Sequence, residues 1–294
     1  MISVILCTYN QEKYIAEAIE SALMQVCDES FEILIGDDCS TDKTRDVITP
    51  YSEKYPEKIR LVYPDHNLGA TGNTLNLIKA SKGEYLAFLD GDDAWISKNI
   101  LQKQIDIFRK DKKTGMVVAI AKMWDEQNQQ YIRNLGDDDC ESLEKMLRGD
   151  SDVAAPTIAV RKKMFEKCIA DSEWYIKEDY FFDTIWAYWF AYYSKISFIP
   201  KELAKYRILR NSECHSDNQE KLREYAKRYY AIKTRFILEH PIDINISYNI
   251  FLSEWDKAYA EAAWRVEKQI RNSKTYKFGR FLLKPLRKLK NIKK

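Results

Sequence analysis

Short apolar runs and helix-like patterns alternate along about the first hundred residues of the chain. The apolar runs occupy residues 2–7, 31–35, 59–63 and 85–89 and are almost continuous. Continuous apolar strands are typical of a parallel sheet whose two faces are both covered by helices. The alternation therefore predicts an α/β fold with a mostly parallel central sheet.

Apolar residues recur at helical spacing between these runs, over residues 14–23, 47–51 and 75–80. After the fourth run, Ser97 precedes an apolar stripe at the same spacing, and we expect it to cap that helix. The stripe consists of Ile100, Leu101, Ile105 and Phe108. Because crossovers between parallel strands are right-handed, the carboxyl ends of the four strands should meet at one edge of the sheet.

The pattern becomes less regular beyond residue 115. Tyr206 and Arg207 fall in a polar stretch after the last predicted strand. Two longer helical patterns follow, over residues 222–236 and 251–266, and these predict a C-terminal helical extension. The shorter elements predicted before them are strands over 116–121, 157–160 and 196–199 and helices over 143–147 and 161–168.

Polar residues follow each of the first four strands. The third strand is followed by Asp65-His66-Asn67, and the fourth by Asp90-Gly91-Asp92-Asp93. An isolated pair of aspartates is commonly an acidic turn that caps a helix. Here the carboxylates should converge with polar groups from neighbouring strands, and such a cluster needs solvent or a cation to neutralise it.

Two common phosphate-binding signatures are absent from the sequence. It contains neither G-x-G-x-x-G after the first strand nor G-x-x-x-x-G-K-[ST] anywhere. A divalent cation that bridges carboxylates and substrate phosphates is the usual alternative. Asp90 and Asp92 are the candidate ligands for it.

Charge is distributed unevenly along the chain. The net charge is +2, yet residues 271–294 contain ten Lys or Arg and no Asp or Glu. Apolar residues alternate with these cations at helical spacing, which is typical of a helix lying on an anionic membrane surface. We expect such a contact through residues 274–294. No basic face or known module accompanies this tail, so nucleic-acid binding is not expected.

The six cysteines lack C-x-x-C spacing, which favours reduced thiols and a cytoplasmic protein. The residues after Met1 do not resemble a secretory signal peptide. The most apolar later stretch, residues 181–200, is interrupted by Asp183 and Lys195, so no membrane span is expected.

Four stretches of this sequence resemble the successive signatures of family 2 glycosyltransferases, which have the GT-A fold. The resemblance covers residues 1 to about 110 and continues more weakly through Glu178-Asp179 and Tyr206-Arg207 to His215-Ser216. It implies a Rossmann-like sheet and an inverting transferase that uses a nucleotide-activated sugar, most often a UDP-sugar. The four stretches are SVILCTYN (3–10), IGDDCSTD (35–42), NLG (67–69) and FLDGDD (88–93).

The resemblance also implies roles for individual residues at the donor. Thr8 and Tyr9 would line the uridine pocket, and Asp38 would accept a hydrogen bond from the uracil ring. Asn67 would belong to the same nucleotide-sugar site. Asp90 would contact the ribose or the metal.

The same resemblance implies a metal site and a base. Asp92, with Asp90, would hold a divalent metal, Mn²⁺ or Mg²⁺, at the diphosphate. His215 lies where some relatives place a metal or diphosphate contact. Asp179 would be the catalytic base, because an inverting transfer needs one base beside the acceptor hydroxyl.

Each of these residues also has a purely structural interpretation. Asp38 is a plausible turn residue before Ser40. The acidic pair that includes Asp179 would stabilise a helix N-terminus. A lone histidine such as His215 is more often a surface residue than a ligand.

We therefore expect a metal-dependent inverting glycosyltransferase that moves sugar from a UDP-sugar to a hydroxyl of a cell-envelope polysaccharide or lipid-linked glycan. It would work at the inner face of the cell membrane. The alternatives are a sugar nucleotidyltransferase and a non-catalytic nucleotide-sugar or glycan-binding protein. The predicted domains are 1–217, the GT-A domain, 218–272, the helical extension, and 273–294, the basic tail.

Overall fold

The computed structural model describes residues 1–149, 151–173, 182–210 and 219–242. The chain divides into a unit of Met1–His240 and a unit of Pro241–Lys294, and every element below lies in the first. The predicted domain boundaries after residues 217 and 272 fall outside the described residues, as do the helix predicted over 251–266 and the tail. They stay predictions.

The N-terminal half of the sheet is parallel, as its continuous apolar runs predicted. Its strands are β1 (Ile2–Thr8), β2 (Phe31–Asp37), β3 (Ile59–Leu61) and β4 (Tyr85–Asp90). The intervening helices are α1 (Ile15–Leu23), α2 (Thr44–Lys54) and α3 (Gly69–Ala80), and α4 (Ile100–Lys110) follows β4. β1 pairs with both β2 and β4, and both of its faces are buried.

The second half of the sheet is mixed. It contains β5 (Ala94–Trp95), β6 (Thr114–Asp125), β7 (Gln130–Leu135), β8 (Ala159–Arg161) and β9 (Lys195–Ile208). The described strands form one sheet of order β3-β2-β1-β4-β8-β6-β9-β5, with β7 paired to β6. β8 runs antiparallel to β4 and β6, whereas β6 and β9 are parallel. The α/β class expected from the pattern is confirmed.

The helices of this half are α5 (Leu143–Arg148), α6 (Lys162–Asp171), α7 (Phe182–Tyr193) and α8 (Gln219–Glu239). An aromatic cluster fixes α6 and α7 against the sheet. Phe165 on α6 packs on Phe88 of β4 at 5.5 Å between ring centroids, and Trp186 on α7 lies 4.9 Å from Phe88 and 4.4 Å from Phe165. This packing places the first turn of α7, with Asp183, toward the end of β4.

Strand register brings the polar strand ends together. Cys7 of β1 is level with Asp90 of β4, and Thr8 is level with Asp37 of β2. The carboxyl ends of these strands therefore meet at one edge, as the right-handed crossovers predicted.

Two local predictions were wrong. Ser97 does not cap α4: its hydroxyl donates to Asn99 Oδ1 at 2.7 Å, and Asn99 precedes the helix. The first amide of the helix, at Ile100, instead donates to Gln25 Oε1 at 3.1 Å, so a distant side chain caps it. Tyr206 and Arg207 do not follow the last strand but lie on β9, which runs well past residue 199.

Among the described helices, none combines the length and the apolar character needed to cross a membrane. The five cysteines within the described ranges, at positions 7, 27, 39, 140 and 168, are free thiols.

Candidate functional site

The end of β2 packs against the end of β1, and Asp38 and Thr8 form a wall there. Thr8 and Asp38 are both 3% exposed, and the Asp38 amide donates to the Thr8 carbonyl at 3.0 Å. Asp38 Oδ1 accepts from the Leu68 amide at 2.7 Å, and Asn67 Nδ2 donates to the Asp38 carbonyl at 2.8 Å. Three strand ends thus meet around Asp38, which is held in place rather than free in a turn.

Asp37 supports this wall from behind. Its side chain is fully buried and accepts hydrogen bonds from the Ser40 amide at 3.1 Å, the Ser40 hydroxyl and Arg45 Nε. The Arg45 guanidinium also lies 4.5 Å from the centroid of the Tyr63 ring. The backbone reverses at Cys39, where φ is +61°, and the contacts of Asp37 stabilise this turn.

The loop after β1 is hydrogen-bonded to the loop after β2. The Asn10 amide donates to Ser40 Oγ, and the Thr41 amide donates to Asn10 Oδ1, both at 2.8 Å. Asn10 has φ +53°, a left-handed conformation that asparagine tolerates. Tyr9 lies between Thr8 and Asn10 and is 48% exposed, so its ring is available to a ligand.

The acidic loop after β4 approaches β1 closely. The Gly91 amide donates to the Cys7 carbonyl at 2.8 Å, and the Asp93 amide donates to the Asp90 carbonyl at 3.0 Å. A Cβ at Gly91 would lie 2.6 Å from Thr8 Oγ1 and would also overlap the Gln11 side chain. Glycine is therefore required here by close contact.

Gln11 joins the two parts of the site and was missed by the sequence analysis. The Thr8 hydroxyl donates to Gln11 Oε1 at 2.8 Å. The Gln11 side chain also lies close enough to the Asp92 carboxylate to oppose the rise in its pKa. Its backbone amide is fixed by Thr44 Oγ1 at 2.8 Å. The only sequence signal for this role is a polar residue three positions beyond Thr8.

The carboxylates of the acidic loop repel one another. Asp90 has solvent-exposed surface at the edge of the sheet. Loss of hydration around its carboxylate nevertheless raises its pKa to about 7, and the charges of Asp92 and Asp183 raise it further. Burial also raises the pKa of Asp92. Asp93 is buried, and its pKa is raised well above normal by burial and then by Asp92 and Asp90. A cation at this edge would relieve the repulsion.

The carboxylate oxygens at this edge fit a hard divalent ion whose remaining ligands come from a substrate. Within the described ranges, no three His, Cys, Asp or Glu side chains are grouped as a complete metal site. Mg²⁺ and similar ions are commonly held by one or two carboxylates together with phosphate oxygens. Asp90 and Asp92 match that incomplete set.

The structure thus brings together six predicted site residues at one edge of the sheet: Thr8, Tyr9, Asp38, Asn67, Asp90 and Asp92. Asp179 and His215 lie outside the described residues, so their roles stay predictions. Asp183, which the sequence analysis considered only as an interruption of an apolar stretch, lies close enough to Asp90 to affect its pKa.

A family model described as Glycosyl transferase family 2 matches residues 3–170, more than half of the chain. The putative teichuronic acid biosynthesis glycosyltransferase TuaG of Bacillus subtilis is 42% identical over 106 residues, which are 36% of this chain and 41% of that protein. The glucosyltransferase WfgD of Escherichia coli, named for UDP-Glc and α-D-GlcNAc-diphosphoundecaprenol, is 35% identical over 111 residues, 38% of this chain and 42% of that protein. The alignments thus span less than half the length of these relatives.

The fold also has solved counterparts. A crystal structure of Staphylococcus aureus TarS in complex with UDP superimposes with a TM-score of 0.53 at 23% identity, covering 82% of this chain and 67% of that one. At this level of identity the likeness concerns the fold.

Proposed function

Since the chain belongs to glycosyl transferase family 2, we propose that it transfers a sugar, with inversion, from a UDP-sugar to an acceptor hydroxyl. The family and the GT-A fold expected from the motifs are confirmed. The observation that carries the proposal is the convergence of a buried Asp38–Thr8 wall and the Asp90–Asp92 loop at one edge of the sheet.

The donor pocket supports a uridine nucleotide. Asp38 would accept from the uracil ring, Thr8 would line the base, and Tyr9 would cover it with its exposed ring. Asn67 holds the Asp38 carbonyl and would complete the pocket. TarS, which shares this fold, was solved with UDP.

The acidic loop supports a divalent cation, Mn²⁺ or Mg²⁺, at the diphosphate. Asp92 and Asp90 would hold it, with His215 as a further contact. When bound, such an ion stabilises the negative charge that develops on the leaving nucleoside diphosphate. Gln11 lies beside the Asp92 carboxylate and would help to orient it toward this position.

The acceptor side requires a base. An inverting transfer has one carboxylate within hydrogen-bond reach of the acceptor hydroxyl, and it removes the proton as the bond to the sugar forms. Asp179 takes this role in the proposal, on the strength of the Glu178-Asp179 motif alone. Asp179→Asn is expected to abolish transfer and to leave UDP affinity within about twofold, because an amide cannot take the proton. Full activity of this variant would remove Asp179 as the base.

The acceptor is proposed to be a cell-envelope polysaccharide or a lipid-linked glycan. TuaG is named for teichuronic acid biosynthesis and WfgD for a diphosphoundecaprenol substrate. The basic amphipathic pattern over 274–294 would bring the enzyme to the inner, cytoplasmic face of the membrane.

The test is release of free UDP from a panel of UDP-sugars, with Mn²⁺, with Mg²⁺ and with EDTA. We expect metal-dependent release that falls by a factor of about 100 or more in Asp92→Ala, because a charge-stabilising contact of the leaving group is lost. Asp106→Ala, on the exposed face of α4, is the matched control and should retain wild-type activity.

Three outcomes would contradict the proposal. Release of pyrophosphate instead of UDP would indicate a nucleotidyltransferase. UDP-sugar binding with no turnover on any acceptor or water would indicate a binding protein. Wild-type activity of Asp92→Ala would remove the acidic loop from the reaction.

A further inference from the structure

Arg207 is a buried cation with no role in the proposed chemistry. It lies near the end of β9, and only 2% of its side chain is exposed. A charged side chain is rarely buried to this extent unless it is paired, because removing a charge from water is unfavourable. Its partners therefore identify what it does.

The partners of Arg207 include the acidic loop itself. Its Nη1 donates to the carbonyl oxygen of Asp92, and its backbone amide donates to Asp93 Oδ1 at 2.7 Å. The guanidinium also donates to Glu126 Oε2 at 2.8 Å through Nε and to Glu17 Oε2 at 2.6 Å through Nη2. One side chain thus joins the loop after β4 to α1 and to the end of β6.

An aromatic ring also restrains the Arg207 guanidinium. The guanidinium lies 4.7 Å from the centroid of the Tyr14 ring, just before α1. A planar guanidinium with three hydrogen-bond partners and an aromatic ring beside it has little freedom to rotate. Its bond to the Asp92 carbonyl therefore restricts the orientation of that peptide.

The bond from Arg207 to the Asp92 carbonyl lies at the centre of the acidic loop. Gly91 contributes no side chain to hold its own backbone, and the loop spans only three residues between β4 and β5. Arg207 holds this loop at two points, because its Nη1 bonds the Asp92 carbonyl and its backbone amide bonds Asp93 Oδ1. These two contacts restrain the backbone that carries the Asp92 carboxylate.

We propose that Arg207 is a positioning residue for the metal-binding loop. It holds the Asp92 peptide so that the carboxylate faces the cation and the diphosphate, and it does not touch the donor itself. This inference rests on the proposed function, because it assumes that Asp92 serves a cation at the nucleotide diphosphate.

A general cross-link between β9 and α1 would have a different signature. Such a link would contribute to the stability of the fold, and its loss would lower the melting temperature without a selective effect on the cation. A positioning role predicts that cation-dependent binding of UDP is lost while cation-independent binding remains. The Asp38–Thr8 wall is held by bonds of Asp38 to Thr8, Asn67 and Leu68, so it serves as an internal reference.

The experiment compares Arg207→Met and Arg207→Lys with Lys205→Met in the full chain. Lys205 lies two residues away on β9, and its ammonium forms an ion pair with the same Glu17. UDP affinity is measured by calorimetry in Mn²⁺ and in EDTA, alongside melting temperature, kcat and donor KM.

We expect Arg207→Met to weaken UDP binding in Mn²⁺ by about 10-fold or more, as removal of a group that orients a metal ligand commonly does. Binding in EDTA should change by less than about twofold. Arg207→Lys should be intermediate, since it retains the charge but not the planar fork. Lys205→Met should match the wild type in both buffers.

Several results would overturn the inference. Equal UDP affinity of Arg207→Met and wild type in Mn²⁺ would do so, as would equal losses in Mn²⁺ and EDTA. If Arg207→Met does not fold, Glu126→Gln replaces it; that variant removes one partner of the fork and should weaken binding in Mn²⁺ by about threefold. Unchanged UDP affinity of Glu126→Gln in Mn²⁺ would also overturn the inference. A wild-type chain that binds no UDP in Mn²⁺ contradicts the proposed function and this inference together.

Discussion

The two halves of the sheet place polar groups at the site by different means. In the parallel half, each group follows its own strand within a few residues, so the backbone ladder determines its position: Thr8 ends β1 and Asp38 follows β2. In the mixed half, Arg207 reaches groups 115 and 190 residues away in the sequence through its side chain. The first half therefore supplies and holds most of the polar groups, and the second adds a long-range contact to the acidic loop.

The largest loss of activity should come from disturbing the close contact between Gly91 and the end of β1. Gly91→Ala places a Cβ against Thr8 and Gln11, both of which would have to move. Overpacking of this kind costs about 1–3 kcal/mol of stability. A displacement of about 1 Å of the neighbouring Asp92 should lower kcat/KM by about 100-fold. Urea unfolding and steady-state kinetics measure the two effects.

Gly149→Ala is the matched control for that substitution. Gly149 follows α5 with φ +75°, and a Cβ there would have no neighbour within 4 Å. The strained backbone should cost about 1 kcal/mol and leave kcat/KM unchanged. Equal kinetic losses in the two variants would mean that the approach of the acidic loop to β1 does not matter for activity.

The next effect should be confined to the donor. Asp38→Ala removes the acceptor proposed for the uracil ring, and a hydrogen bond to a charged group contributes about 1.5–3 kcal/mol. We expect UDP affinity to fall by about 10- to 100-fold in EDTA as well as in Mn²⁺, in contrast to Arg207→Met. Calorimetry with UDP is the measurement, and Asp46→Ala on the exposed face of α2 is the control. Unchanged affinity would remove Asp38 from the base pocket.

A smaller effect, on stability alone, should come from the core of the mixed half. Thr157 is fully buried, and its hydroxyl accepts from the Ala119 amide at 2.9 Å and lies within hydrogen-bond distance of the Ala154 carbonyl at 2.8 Å. Thr157→Val removes the hydroxyl that the Ala119 amide bonds, while the Ala154 carbonyl keeps its bond from the Thr157 backbone amide. The loss should cost about 1–3 kcal/mol. Thr49→Val on the exposed face of α2 is the control. A fall in UDP affinity of the folded variant would show that the two halves are coupled more tightly than we expect.

The smallest effect should be found outside both halves, at the surface of α4. Arg109 hydrogen-bonds both carboxylate oxygens of Asp28, at 2.9 and 2.8 Å, and this lowers the pKa of Asp28. A lowered carboxyl pKa stabilises the fold above the unfolded value of about 3.9 and ceases to do so as the pH falls through the folded value.

Because the pair is exposed, Arg109→Ala should change the melting temperature little at pH 7 and still less at pH 3. Lys110→Ala, on the same helix, is the comparison. A larger difference from wild type at pH 3 than at pH 7 would contradict the assignment of this pair.

The parallel half was predictable because its signal is local. Strands buried on both faces are written as continuous apolar runs, and β1, β2 and β4 all begin where those runs begin. The candidate residues at their ends were predictable for the same reason, since strand polarity alone brings them to one edge.

The mixed half was less predictable because its signals are not local. β7 is exposed along nearly its whole length, so its sequence, QYIRNL, has no apolar run to mark it. The predicted strand ended at Ile199, whereas β9 continues through the exposed residues 200–202 to Ile208. The roles of Gln11 and Arg207 depend on partners that only the folded chain brings near.

The amino ends of the parallel strands have a practical use. The turn at Pro56 and Glu57, between α2 and β3, is exposed and lies at the opposite edge of the sheet from Asp38 and Asp92. An affinity tag or a surface linker inserted there would tether the protein with the edge that carries Asp38 and Asp92 facing away from the support. Strand direction thus identifies a position for immobilisation that does not depend on the proposed donor.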